Sequence, residues 1–232
     1  MFFFVEIQGF SILGFKYYWV VLEGIMSLLK QLYSNVYQWS EFSVEKKLNF
    51  NGYYLIFNGQ SVVIDPPVLV DKDLNTFKNI IKENLDSPLK SILLTNVHHE
   101  RTSKNVKEIF NVPVCIHESD AKELSFKADH TFVNGDKLYC GLQVVHLENQ
   151  KSPGESAFYL EDQKIMFIGD ALIGGGTGKL NMLPPEKFVN INEAKKSLHV
   201  LKNFDFDSLL LGDGEIHMSE GKKIFEDFLI SS

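Results

Sequence analysis

The sequence predicts an α/β (α+β) fold, a four-layer αβ/βα sandwich in which two β-sheets pack face to face with helices outside. Strands come first along the chain, and strand–helix alternation then follows twice. The 232 residues, of which 44% are hydrophobic, provide a core for one large domain or two small ones. We find no internal repeat, low-complexity tract or long linker, and we assign residues 26–232 to a single domain. The order of elements alone leaves this sandwich as one of several α/β arrangements.

The first half of the chain opens on strands and then alternates. A strand over residues 52–58 turns at Gly59-Gln60 into the next strand, which Pro66-Pro67 ends. Apolar residues at helical spacing then predict a helix over residues 71–85. The full prediction for this half is strands over residues 32–39, 52–58, 61–65, 90–95 and 112–117, with helices over residues 71–85, 103–110 and 119–124.

The second half continues with shorter segments. Asn134-Gly135-Asp136 predicts a turn between weak strands. A helix closes the chain, with Ser219 as its N-cap, because a serine side chain can accept a hydrogen bond from the first helical turn. The remaining predictions are strands over residues 142–147, 156–160, 164–168 and 208–211 and helices over residues 192–201 and 219–229.

Residues 1–25 are very apolar but are interrupted by Glu6, Lys16 and Glu23. No uninterrupted run approaches the roughly 20 residues that a membrane-spanning helix needs, so we expect no membrane span. The charge and small-residue pattern of a secretory signal is also missing. We interpret this segment as a mis-assigned start, with Met26 as the true first residue. An amphipathic extension and a membrane anchor are the alternatives.

Composition excludes some classes of function. The formal net charge is −7 and the basic residues are scattered, whereas a nucleic-acid surface would need a basic stripe. Cys115 and Cys140 lie far apart without metal-ligand spacing, which is typical of reduced thiols in the cytoplasm. These features predict a soluble cytoplasmic protein whose partner is an unidentified small molecule. The oligomeric state stays open.

Four polar segments follow predicted strands. Residues 95–101 read Thr-Asn-Val-His-His-Glu-Arg, and their last residue is the only arginine among 23 lysines and arginines. Residues 151–156 read Lys-Ser-Pro-Gly-Glu-Ser, residues 168–172 read Ile-Gly-Asp-Ala-Leu and residues 211–214 read Leu-Gly-Asp-Gly. Such strand-end loops are where chemistry-bearing residues gather in α/β folds.

These segments resemble the metal-binding motifs of the metallo-β-lactamase-fold superfamily, in the order and at the spacing of that family. Segment 95–101 is similar to Thr-His-x-His-x-Asp-His, and segment 151–156 resembles the end of Gly-His-Ser-Pro-Gly-Ser. Segment 168–172 is similar to the part that supplies the metal-bridging aspartate, and segment 211–214 resembles Gly-His-Gly. Together with the opening hairpin that ends at Asp65, the resemblance runs from about residue 32 to residue 229 and implies the αβ/βα sandwich.

The resemblance also implies a divergent member, because most zinc-ligand positions carry other residues. The three histidines of the first zinc site correspond to Asn96, His98 and Lys151. Zinc needs about three protein ligands of the His, Cys or carboxylate kind, and His98 alone remains here. We therefore expect the dinuclear zinc centre to be missing.

The second zinc site has changed in a different way. Its ligands correspond to Glu100, Arg101 and Asp213, and Asp170 stands at the bridging position. A guanidinium stays protonated and cannot ligate a metal. The carboxylates left over suit Mg²⁺, Mn²⁺ or Ca²⁺ better than zinc. One divalent metal, Mg²⁺, Mn²⁺ or Zn²⁺, is the alternative cofactor, and its ligands would come from Glu100, Asp170, Asp213 and His98.

Charge counting predicts a metal-free cluster. Arg101 and Lys151 bring two positive charges to former ligand positions, and Glu100, Asp170 and Asp213 stand against them. Buried charges are tolerated only when they are paired and hydrogen-bonded. We expect an ion-pair cluster that also includes Asn96, with Arg101 bidentate to Asp170 or Asp213. His98 and Asp170 are the candidate catalytic residues, and His99 is expected to be a loop or packing residue.

Three functions remain, and whether the chain is an enzyme stays open. The first is a hydrolase-like pseudoenzyme that is a binding or regulatory module or acts on an unknown small ligand. The second is an active hydrolase of esters, thioesters or phosphodiesters that uses a single metal. The third is a metal-free binder of small anions through Arg101 and Lys151.

Overall fold

A computed structural model describes residues 29–68 and 70–231, so the segment 1–25 and its interpretation lie outside the described residues. The first sheet has seven strands in chain order from β1 to β7. Strands β1 to β4 pair antiparallel, and β4 to β7 pair parallel. The strands are β1 (Leu29–Tyr33), β2 (Val36–Ser43), β3 (Leu48–Phe57), β4 (Gln60–Ile64), β5 (Leu89–Leu93), β6 (Val114–His117) and β7 (His130–Phe132).

The second sheet has four strands in the order β13-β10-β9-β8. Strands β8, β9 and β10 pair antiparallel, whereas β10 and β13 run parallel. A separate two-stranded ribbon joins β11 and β12. These strands are β8 (Gln143–His146), β9 (Ser156–Leu160), β10 (Ile165–Ile168), β11 (Ile173–Gly174), β12 (Leu180–Asn181) and β13 (Ser208–Leu211).

Helices cover both outer faces. They are α1 (Asp71–Glu83), α2 (Ser103–Phe110), α3 (Ile191–Ser197) and α4 (Gly221–Ser231). Phe77 of α1 and Val106 of α2 pack on the outer face of the first sheet, and Phe225 of α4 packs on the outer face of the second. The four-layer α/β sandwich predicted from the sequence is therefore confirmed. Among the described residues, no helix has both the length and the apolar character to cross a membrane.

Strand β3 shows why these sequences form buried sheets. Tyr53 and Leu55 belong to the core between the two sheets, whereas Tyr54 belongs to the core under α1. Successive side chains of a strand point to opposite faces, so the continuous apolar run over residues 53–57 of β3 places apolar side chains on both faces of the sheet. The alternation places Tyr53 towards the second sheet, where its hydroxyl donates to the Leu211 carbonyl oxygen at 2.5 Å.

Two predicted elements were wrong in detail. The strand over residues 32–39 is interrupted by a turn, so β1 ends at Tyr33 and β2 begins at Val36. Residues 119–124 form turns instead of a helix, because the Asp120 carboxylate accepts backbone hydrogen bonds from Val97 and Gly154 in other segments. Tertiary contacts thus override local propensity there.

Ser219 is also wrong as the N-cap of the last helix. Glu220 has a φ of 56°, outside the helical region, and α4 begins only at Gly221. The backbone N–H of Glu220 donates to Asp207 Oδ1 at 2.9 Å, so an acidic side chain from another segment satisfies this end of the helix.

Candidate functional site

The candidate site lies where four strands of the two sheets end. Asp65 follows β4, residues 95–101 follow β5, Asp170 follows β10 and Asp213 follows β13. Because β4 and β5 are parallel, and β10 and β13 are parallel, their carboxyl ends meet at shared edges. The fold therefore brings together side chains that are far apart in sequence.

A short 3-10 turn at Val97–His99 decides which histidine enters the site. Asn96 caps this turn, since its Oδ1 accepts a hydrogen bond from the His98 N–H at 2.9 Å. The Val97 N–H donates to Asp120 Oδ2 at 2.9 Å, which fixes the other side of the turn. As a result His98 is exposed and His99 is buried.

His99 lies at the centre of the site. Its Nδ1 is 2.8 Å from Asp65 Oδ2, and its Nε2 is 3.3 Å from Asp170 Oδ1 and 4.0 Å from Asp213 Oδ1. Burial and the Arg101 charge oppose protonation, but Asp65 and Asp170 outweigh them and raise the pKa of His99 to about 10. The ring is therefore an imidazolium at neutral pH. The expectation that His99 is a loop or packing residue misses this position.

The Asp65 carboxylate is fixed by hydrogen bonds from Thr95, the first residue of the 95–101 segment. Its Oδ1 accepts from the Thr95 backbone N–H at 2.9 Å, and its Oδ2 accepts from the Thr95 hydroxyl at 2.6 Å. The same Oδ2 contacts His99. The carboxylate thus fixes both the start of the 95–101 segment and the orientation of the buried imidazole.

Arg101 pairs with Asp213 at 2.7 Å between Nη2 and Oδ1. Its Nη1 donates to the Asn51 carbonyl oxygen at 3.0 Å, and the guanidinium stacks over Phe50 at 4.8 Å from the ring centroid. Arg101 has a φ of 35°, a conformation that non-glycine residues rarely adopt. The expected ion pair between Arg101 and an aspartate is present, but it is not bidentate. Nη2 alone contacts Asp213, and Nη1 donates to the backbone instead.

Lys151 supplies a second cation. Its Nζ donates to Asp170 Oδ2 at 2.7 Å, so Asp170 contacts Lys151 on one oxygen and His99 on the other. Burial opposes ionisation of Asp170, but His99 and Lys151 outweigh it and hold the pKa of that carboxyl well below its usual range. At Asp213 burial outweighs the opposing His99 and Arg101 charges, so the pKa of that carboxyl is raised.

Glu100 and Asn96, predicted members of the cluster, and His98, a predicted catalytic residue, make no ion pair or hydrogen bond with its charged side chains among the described contacts. Glu100 turns outward, where its Oε2 accepts from the Ser125 backbone N–H at 2.8 Å. His98 is exposed, and partial desolvation together with the Lys151 charge lowers the pKa of its ring. Asn96 is fully buried beside the cluster, but its amide oxygen serves the 3-10 turn.

The sequence of the chain matches a known family over almost its whole described length. A sequence model described as the Metallo-beta-lactamase superfamily matches residues 28–231. The chain belongs to the metallo-beta-lactamase superfamily. A relative in Bacillus subtilis (strain 168), named Probable metallo-hydrolase YqgX, is 28% identical over 158 residues, which cover 57% of this chain and 71% of the relative.

Solved structures of this superfamily share the fold. The crystal structure of DIM-1 metallo-beta-lactamase matches with a TM-score of 0.70 and 18% identity, over 88% of this chain and 96% of that one. A metallo-beta-lactamase from Pontibacter korlensis matches with a TM-score of 0.70 and 17% identity, over 88% of this chain and 99% of that one. At these identities the likeness extends to the fold.

Two buried acids of this superfamily member were missed by the sequence reasoning. Asp120 is fully buried and accepts from the Val97 N–H at 2.9 Å, the Gly154 N–H at 2.7 Å and the Ser152 hydroxyl. It therefore ties the 3-10 turn to the loop that carries Lys151. No motif marks it, since it lies in a segment predicted as a helix.

Glu155 is the second missed acid. It is fully buried, its Oε1 accepts from the Ala171 N–H at 3.2 Å, and its Oε2 has no hydrogen-bond partner among the described residues. Burial and the nearby Asp170 charge raise the pKa of Glu155 well above its usual range, which favours the neutral acid. Its position within segment 151–156 is the signal that could have drawn attention to it.

The charges of the site balance. His99, Arg101 and Lys151 contact Asp65, Asp170 and Asp213 through side-chain pairs of 2.7 to 4.0 Å. Among the described residues, one set of side chains has the geometry to hold a metal ion, with ligand atoms of His99, Asp170 and Asp213 within 4.8 Å of one another. The two aspartates of this set are paired with His99, Arg101 and Lys151.

Proposed function

We propose that this superfamily member is a pseudoenzyme for metal-dependent hydrolysis, and that its own side-chain cations fill the cavity where the family holds zinc. One observation carries the proposal. Arg101 and Lys151, which stand at two ligand positions by resemblance, each lie 2.7 Å from a carboxylate, Asp213 and Asp170 respectively. A protonated guanidinium or ammonium offers no lone pair to a metal.

The other ligand positions fit a dinuclear zinc centre no better. The oxygen of Asn96 accepts a backbone hydrogen bond, the His98 ring is exposed, and Glu100 accepts from the backbone of Ser125. Zinc sites need three protein ligands in a fixed geometry. These side chains do not fit two zinc ions, and we derive no chemistry through them.

Electrostatics supports the same proposal. Three cations already face three carboxylates, so a divalent ion would add uncompensated positive charge to a buried site. Like charges in a site of low dielectric repel strongly. The same balance disfavours the third hypothesis, a binder of small anions through Arg101 and Lys151, because both cations are already paired with carboxylates. The protein would then bind an unidentified small molecule or be regulated by one.

Metal content and hydrolysis, measured together, test the proposal. The untagged protein, purified without chelator, would be analysed by inductively coupled plasma mass spectrometry and assayed on ester, thioester and phosphodiester substrates with added Zn²⁺, Mn²⁺ or Mg²⁺. We expect far less than one metal ion per chain and no turnover that a chelator removes. A full equivalent of metal together with chelator-sensitive turnover would overturn the proposal.

A second candidate rests on His99, Asp170 and Asp213, whose ligand atoms lie close enough to hold one ion. It requires Arg101 and Lys151 to leave their carboxylates. One metal there would supply an activated water for hydrolysis of esters, thioesters or phosphodiesters. This candidate predicts that Asp170→Asn lowers both bound metal and turnover, whereas the pseudoenzyme has neither to lose.

A further inference from the structure

Two histidines from different sheets stack against each other. His117 ends β6 of the first sheet, and His146 ends β8 of the second. Their ring centroids lie 4.3 Å apart, and the ring planes differ by 18°. His117 is buried, whereas His146 is half-buried. The pair lies outside the ion-pair cluster, beside the loop that runs from β8 to β9 and carries Lys151.

Each ring of the pair holds a different segment. His146 Nε2 lies 2.9 Å from the Pro153 carbonyl oxygen, and because a carbonyl can only accept, this nitrogen carries the proton and donates. His117 Nδ1 accepts from the Ser119 backbone N–H at 3.2 Å, so the neutral ring carries its own proton on Nε2. One ring therefore fixes the loop after β8, and the other fixes the turn after β6.

The turn after β6 carries Asp120, whose carboxylate accepts from Ser152 and Gly154 in the loop after β8. The backbone N–H of Asp120 donates to the His117 carbonyl oxygen at 3.0 Å. The turn and the loop are thus joined twice, through the stacked rings and through this carboxylate. Together the two connections fix the position of Lys151, which directly precedes Ser152.

A proton on His117 is incompatible with this arrangement. It would go to Nδ1, where it would meet the Ser119 N–H, so two donors would face each other without an acceptor. A charge on His146 as well would add repulsion between two rings whose centroids lie 4.3 Å apart. The turn after β6 must therefore open before His117 can hold a second proton.

The surroundings of His117 set the direction of the pH effect. Burial and the His146 ring lower the pKa of His117, and the carboxylates of Asp120, Glu118 and Asp136 oppose them without outweighing them. Because the folded pKa lies below the ordinary value of 6.5, the closed turn binds fewer protons than the opened one. The closed turn is therefore fully stable above pH 6.5 and loses stability as the pH falls below it.

We propose that the stacked pair is an acid-sensitive latch on the loop that carries Lys151. At neutral pH the closed pair holds the loop. In mild acid His117 takes up a proton, the turn after β6 opens and the loop is released. Lys151 is then no longer fixed beside Asp170, so acid opens one side of the ion-pair cluster. The latch works in the same way with or without a metal in the site, so its test is independent of the pseudoenzyme proposal.

Residue-resolved amide hydrogen exchange of the full chain, measured by NMR between about pH 7.5 and about pH 5.5, tests the latch. The Ser119 and Gly154 N–H groups donate inside the latch and report on its opening. The Ile92 N–H donates to a carbonyl oxygen within the first sheet and reports on the rest of the fold. After division by the intrinsic exchange rates, protection of the two latch amides should fall about tenfold, because opening takes up one proton. Protection of Ile92 should not fall.

Two variants separate the latch from other effects of acid. His117→Asn removes the titrating ring but keeps an acceptor for the Ser119 N–H, so the loss of protection in acid should disappear. His199→Asn, at an exposed histidine in another segment, is the matched control and should keep that loss. The latch is overturned if the unchanged chain shows no loss of protection in acid, or if His117→Asn shows the same loss.

Ring NMR of the unchanged chain decides the question if His117→Asn does not fold. Long-range proton–nitrogen spectra identify which nitrogen of each histidine ring carries the proton. We expect His117 to carry it on Nε2 at about pH 7.5, and to gain the second proton over the same pH range in which Ser119 loses protection. A His117 ring that is protonated on Nδ1 at about pH 7.5, or that gains its second proton while Ser119 stays protected, would overturn the latch.

Discussion

Lys151 Nζ lies 2.7 Å from Asp170 Oδ2, on the aspartate that corresponds by motif resemblance to the metal-bridging position of the superfamily. The other oxygen of Asp170 faces the His99 ring at 3.3 Å. Both oxygens of a carboxylate that would bridge metal ions are thus turned to side-chain cations. A cation and a metal cannot use the same lone pairs at once, so the two arrangements exclude each other.

Restoring the family ligands should restore zinc binding. The variant replaces the five changed positions with the family residues, namely Asn96→His, Glu100→Asp, Arg101→His, Lys151→His and Asp213→His. We expect it to take up one or two zinc ions after dialysis against zinc, because imidazoles replace both cations and supply two further ligands. Metal content is measured by inductively coupled plasma mass spectrometry, with the unchanged chain treated in parallel.

Asp170→Asn in the restored background is the control for this prediction. It removes the bridging carboxylate and should lower the zinc content, since an amide is a weaker metal ligand than a carboxylate. Equal zinc in the unchanged and the restored chains would contradict the view that Arg101 and Lys151 keep metal out.

Lys151→Met should destabilise the fold because it leaves the buried Asp170 with one fewer partner. Removing one member of a buried pair costs about 3–5 kcal/mol, and we expect about 1–3 kcal/mol here because His99 remains and the Lys151 side chain is 26% exposed. The free energy of unfolding is measured by urea denaturation. The double variant Lys151→Met/Asp170→Asn should recover part of the loss. Additive effects of the two changes would mean that the pair is not coupled.

Asp120→Asn should weaken the connection between the 3-10 turn and the Lys151 loop. The carboxylate accepts from Val97, Ser152 and Gly154, and an amide replaces one acceptor oxygen by a donor group. A buried donor left without an acceptor costs about 1–3 kcal/mol, so we expect a loss of about 3 kcal/mol by urea denaturation. The exposed Asp162→Asn is the matched control. An equally small loss in both variants would contradict the proposed role of Asp120.

The fold was predictable because it depends on signals that are local in sequence. Apolar periodicity located most strands, and the polar segments at their ends gave the order of the superfamily. The approach of Arg101 to Asp213 and of Lys151 to Asp170 follows the same logic, because each lies at a position that the fold brings to the shared strand ends. Sequence therefore predicted that Arg101 and Lys151 would face carboxylates, but it left Arg101 a choice between Asp170 and Asp213 and named no partner for Lys151.

The centre of the site was not predictable from the motif. His98 and His99 are adjacent, and which one turns inward depends on the 3-10 turn that Asn96 caps and Asp120 fixes from a distant segment. Motif matching favoured His98, which corresponds by resemblance to a family ligand, but the turn exposes it. The outward rotation of Glu100 has the same origin, since its carboxylate finds the Ser125 backbone instead. Which of two adjacent side chains is buried thus depends on tertiary contacts that a sequence motif does not contain.

The stability of the chain should fall as pH rises from 6.5 to about 10. The pKa of His99 is 6.5 in its ordinary state and about 10 in the folded chain, against the opposition of burial and Arg101, because Asp65 and Asp170 favour the charged ring. Over this range the folded state binds more protons than the unfolded state, so each pH unit lowers the free energy of unfolding by up to about 1.4 kcal/mol. The contribution is complete below pH 6.5 and lost above the folded pKa.

Urea denaturation across this pH range measures the slope, and His99→Gln isolates its origin. Glutamine cannot carry the charge, so the variant is expected to be less stable near neutrality but to lose less stability as pH rises towards 10. The difference between the two proteins removes the contributions of lysines, cysteines and tyrosines that titrate in the same range. Parallel pH dependence in the two proteins would mean that His99 is neutral in the fold. The cluster would then lack one of its three cations, and the case against a metal at Asp170 and Asp213 would rest on Arg101 and Lys151 alone.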